Sequence, residues 1–159
     1  LMADHGASAE VAERLALFSR GCVGWAINAL NHPDILEQRE ADLEQIKVIC
    51  ESGLYERFNY ANKLAAQFFR DRESTKELLY LWLRWWRDLI LIKECAEEYV
   101  QNPDEIVRLR LQATQLRTPQ IIGFVKSLNF TLEALDSNAN ARLALEVLML
   151  NLPGVEIRV

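Results

Sequence analysis

Cysteine, histidine, proline and glycine are all scarce in this chain: three, two, four and six among 159 residues. Each scarcity excludes something. Cys22, Cys50 and Cys95 are odd in number, lie 28 and 45 residues apart and form no Cys-x-x-Cys pair. Neither a disulfide framework nor a cysteine-built zinc site is indicated. They read as reduced, mostly buried thiols, which suits the cytoplasm. His5 and His32 fall in expected turns, and no Glu-x-x-His or His-Glu-x-x-His pattern occurs, so no metal site is expected. So little Gly and Pro disfavours a turn-rich β-sandwich. No apolar run reaches the roughly 18 residues that a membrane span needs. Asp4 and His5 interrupt the first apolar stretch, so no signal peptide is expected there. The chain opens on Leu1 rather than Met, which fits a piece of a longer protein.

Charge of the positive sign is also short. Eighteen Lys and Arg against 23 Asp and Glu give a net charge of -5, without the basic excess of a nucleic-acid binder. Residues 1–52 hold four basic and nine acidic side chains, whereas 53–159 hold fourteen of each. The acidic end would repel phosphate, and the neutral end suits protein contact. Chemical motifs are missing as well. There is no phosphate-cradling GxxxxGK[ST], no GxGxxG and no GxSxG elbow, and no Cys has a His beside it as base. Glu97-Glu98 and Asp104-Glu105 are neighbouring acids at helix ends that point apart and read as solvated. No catalytic residue and no cofactor is therefore expected.

What is there is hydrophobic residue, half of the chain, at helical spacing. After short expected helices before Gly21 and over 22–30, Asn31-His32-Pro33 breaks the chain. Pro33 then opens a helix that Ser52-Gly53 closes. A helix over about 54–70 carries Phe58, Ala61, Leu64, Ala65 and Phe68 on one stripe. Arg70-Asp71-Arg72-Glu73 reads as a charged turn. Ser74-Thr75-Lys76-Glu77 matches a capping box for a helix over about 75–98. Asn102-Pro103 and Thr118-Pro119 each read as cap plus first-position proline for the next two helices. The last helix runs over about 141–151 and stops before Pro153-Gly154. No alternating strand pattern survives. The expected fold class is all-α, a helical bundle.

The helix at 75–98 is apolar on nearly all sides, which places it at the centre of a bundle. Glu77, Arg84, Arg87, Asp88 and Glu98 form its narrow polar strip, on which Arg84 and Asp88 can pair. Trp82, Trp85 and Trp86 project on neighbouring faces. They admit two readings: core packing, or indoles in a protein–protein seam. Trp and Arg are enriched at such seams, which makes Trp85, Trp86, Arg84 and Arg87 candidate interface residues. Base stacking on these indoles would need a basic groove that the composition does not offer.

Three segments carry a resemblance. Leu15-Ala16-Leu17-Phe18-Ser19-Arg20-Gly21-Cys22-Val23-Gly24-Trp25-Ala26 resembles the lid subdomain of clamp-loader AAA+ subunits. Trp82-Leu83-Arg84-Trp85-Trp86-Arg87-Asp88-Leu89-Ile90-Leu91 is similar to the collar domain of bacterial DNA polymerase III delta-prime subunits. So is Asn138-Ala139-Asn140-Ala141-Arg142-Leu143-Ala144-Leu145-Glu146, with Ala141 where that family has Pro.

The resemblance implies part of a lid over 1–32 and a helical collar over 33–159, with an ATPase-like domain ahead of Leu1. It implies a non-catalytic oligomerisation module within a DNA-directed DNA polymerase holoenzyme. The partners would be the gamma/tau and delta subunits through the collar. The sliding clamp and primed DNA would be reached only through the intact subunit, without a membrane. The isolated piece would self-associate weakly through exposed seam surface. ATP-hydrolysing relatives carry a lid arginine that reaches the γ-phosphate, and the matching position here is Gly24, which supplies no charge. That favours a delta-prime-like subunit over a gamma/tau-type ATPase fragment. An unrelated helical bundle with a ligand pocket lined by Trp82 or Trp86 is the alternative of a different class.

Overall fold

The computed structural model describes residues 34–154. Among them are six α-helices and no strand, an all-α bundle as expected. The helices are α1 (Asp34–Glu51), α2 (Leu54–Arg70), α3 (Arg72–Lys93), α4 (Ile106–Gln115), α5 (Thr118–Asp136) and α6 (Ala141–Asn151). Single 3-10 turns at Glu97–Tyr99 and Pro103–Glu105 lie between α3 and α4. The chain divides into two compact units between Glu44 and Gln45, within α1. The lid assignment of 1–32 falls outside the described residues, as do Gly24 and both histidines.

In the second unit, α2, α3, α5 and α6 close a ring of packed neighbours, and α4 lies against α3. The reason is legible along α3. Trp82 meets Tyr60 of α2 and Phe124 of α5, with ring centroids 6.1 and 6.0 Å apart. Trp86 meets the same Phe124 at 4.5 Å. Trp85 turns to α4, where its Nε1 donates to Gln112 Oε1 at 2.8 Å. Three indoles on neighbouring faces thus bind α3 to three other helices. Each ring buries a large apolar area, and the tilted ring contacts of Trp82 and Trp86 are worth about 0.5–1.5 kcal/mol beyond it.

The helix ends follow local chemistry, with departures from the sequence expectation at both ends of α3 and at α5, which Arg117 rather than Thr118 precedes as cap. Asn140 caps α6, its side-chain oxygen accepting from Leu143 N at 3.1 Å, as its Asn identity suggests. The cap of α3 is Asp71 rather than Ser74, and the helix begins at Arg72, two residues before the expected capping box. Asp71 accepts from Ser74 N at 3.0 Å, which frees Ser74 Oγ to accept from Gln67 Nε2 of α2. An Asp at this position satisfies the first turn as well as a Ser would and adds charge at the helix N-terminus. The expected four-residue charged turn therefore shrinks to Asp71 alone. At the other end α3 stops at Lys93, because Cys95 takes a left-handed φ of 54°. Ala96 N then reaches back to Leu91 O at 2.8 Å and Cys95 N to Ile92 O at 3.2 Å, a Schellman closure. Asn138 (φ 55°) closes α5 in the same way.

Candidate docking surfaces

Trp85 and Trp86 are 1% and 0% exposed. Neither indole presents surface, so their reading as seam residues gives way to core packing. The cause is visible around Trp85: Gln112 takes its N–H, and the Lys47 ammonium stands 5.8 Å from its ring centroid while pairing with Glu105 Oε1 at 2.8 Å. Of the two arginines on this helix, Arg84 is half-buried and Arg87 is exposed. The expected Arg84–Asp88 pair on a solvated strip is also corrected. Asp88 is fully buried and faces the α3–α4 connection. It accepts from Gln101 N and Asn102 N, each at 3.0 Å, and from Asn102 Nδ2 at 2.6 Å. Burial pushes its carboxyl above the ordinary value, with the three donors pulling the other way. Asn102, expected to cap a helix, instead spends its side chain on Asp88.

Arg57 is the second buried charge, and nothing in the spacing of apolar residues announces it. Its guanidinium donates to Leu152 O at 2.6 Å, Cys50 O at 3.0 Å and Pro153 O at 3.5 Å. These carbonyls belong to the C-terminal ends of α1 and α6, where the partial charge is negative and the carbonyls lack helical partners. Arg57 therefore serves as a shared C-terminal cap for two helices. Cys50 sits beside it, and burial pushes its thiol up to about 12. A thiol held there is a small hydrophobe and not a nucleophile.

The surface tells a different story from the core. On α6, Ala141, Leu145, Leu148 and Met149 face inward, so the opposite line of the helix falls at Leu143, Val147 and Leu150. These three are 58%, 40% and 55% exposed. On α4, Leu109 and Ala113 face inward, and the outermost line carries Val107 and Leu111 at 75% and 63%. The outer line of a surface helix is ordinarily its most polar. Here it is aliphatic on two helices. Because α4 packs on α3 while α6 packs on α2 and α5, the two lines lie on different flanks. Arg142 and Glu146 pair across one turn of α6 at 2.8 Å and flank its apolar line. Arg110 pairs with Glu97 beside the line on α4. An aliphatic centre edged by satisfied charges is the composition of a protein contact: apolar core, polar rim. Sequence reasoning missed these lines because it took the apolar residues of the last helix together without separating an outer line, and did not single out Val107 or Leu111. The signal was available in the excess of apolar residues on α6, which exceeds what one buried face needs.

No helix among the described residues is long and apolar enough to cross a membrane. No group of three His, Cys, Asp or Glu among the described residues is placed to hold a metal ion. Comparison with protein-family models, with characterised proteins and with solved structures finds no match.

Proposed function

We propose that this chain is a docking module without catalysis of its own: the lid remnant and collar of a clamp-loader delta-prime-like subunit. In this reading its bundle joins the gamma/tau and delta subunits. It thereby helps assemble, in the cytoplasm, the loader that places the sliding clamp on primed DNA. The observation that carries the reading is the aliphatic outer line of α6. Leu143, Val147 and Leu150 each forgo about 2 kcal/mol of burial that a partner could recover, before association costs are counted. Leu143 also falls inside the Asn138–Glu146 segment that resembles the collar family. A second aliphatic line on α4 supports neighbours on two flanks, as head-to-tail assembly requires. Gly24 supports a delta-prime-like subunit over a gamma/tau-type one, since the charge of a lid arginine is absent there.

The test is a pull-down of the intact subunit with gamma/tau and delta. Association is expected, and Leu143→Glu combined with Leu150→Lys is expected to abolish it on one flank without lowering the thermal midpoint. Failure of the unmodified subunit to associate with either would overturn the reading. So would a shift of several degrees in the thermal midpoint of residues 1–159 alone with a nucleotide or metal, which would mark a ligand site on this chain instead.

A further inference from the structure

We draw no further inference here: the strongest candidate, the apolar surface line of α6 at Leu143, Val147 and Leu150, belongs to the docking surface already proposed, and nothing in the structure shows which chain covers it.

Discussion

Arg57 and Leu152 lie 95 positions apart and are joined by a 2.6 Å hydrogen bond from guanidinium to carbonyl. Through it the end of α6 is tied to the start of α2, and through the Cys50 carbonyl to the end of α1. A planar fork with five donors can span two carbonyls in this way, and a lysine cannot.

Replacing Arg57 by Gln is accordingly expected to cost about 3 kcal/mol, because buried carbonyls lose charged donors. Arg57→Lys should recover only part of that loss. Urea midpoints of the three proteins, read by circular dichroism, check the order. Equal midpoints for the Lys variant and the parent would contradict the two-carbonyl geometry.

Asp88→Ala removes the acceptor for three N–H donors at 101–102 and is expected to cost about 2–4 kcal/mol. The loss should be accompanied by faster amide exchange at Gln101 and Asn102. The pH dependence follows from the raised carboxyl. Burial lifts Asp88 above 3.8, so in the window just above that value the folded chain keeps a proton that the unfolded chain has released. This contribution to stability is complete below 3.8 and fades as pH rises through the folded value. The gap between parent and Asp88→Ala midpoints should therefore be wider near pH 4 than at pH 7.

The two described thiols should differ sharply in reactivity. Cys50 is buried and held near 12, so about one molecule in ten thousand carries the thiolate at pH 8. Cys95 is exposed. In a Cys22→Ser background, Ellman's reagent should titrate one thiol quickly and the second only on addition of denaturant. Rapid reaction of both would show that the α1–α2 corner opens.

Cys95 occupies a left-handed backbone position that favours glycine. Cys95→Gly is expected to stabilise the bundle by about 0.5–1 kcal/mol, and Cys95→Val to destabilise it. Thermal midpoints of the pair would show opposite shifts. Asn138→Gly should gain less, since Asn already tolerates this conformation.

Much of the fold was legible in the sequence because it is written in local spacing. The limits of α2 and α6, the cap at Asn140 and the central place of α3 all follow from helical periodicity and cap chemistry. What was not legible depends on pairs distant in the chain. Arg57 looks like any surface arginine until the carbonyl of Leu152 is brought to it. Asp88 looks like a member of a polar strip until the 101–102 turn folds over it. Trp85 and Trp86 were open to two readings because a helix apolar on all sides does not say which faces its own chain covers. The outer lines of α4 and α6 stayed hidden for the complementary reason: periodicity counts leucines without telling which side of the helix meets solvent.

The closure at Arg57 also sets how the bundle answers to salt. Mobile ions screen surface pairs such as Arg142–Glu146, whose loss costs little. Helix-end dipoles gripping a dehydrated cation are out of their reach. Concentrated sulfate would then strip the outer ornament of charge, strengthen the pull between aliphatic faces, and leave the knot at the chain's end tied.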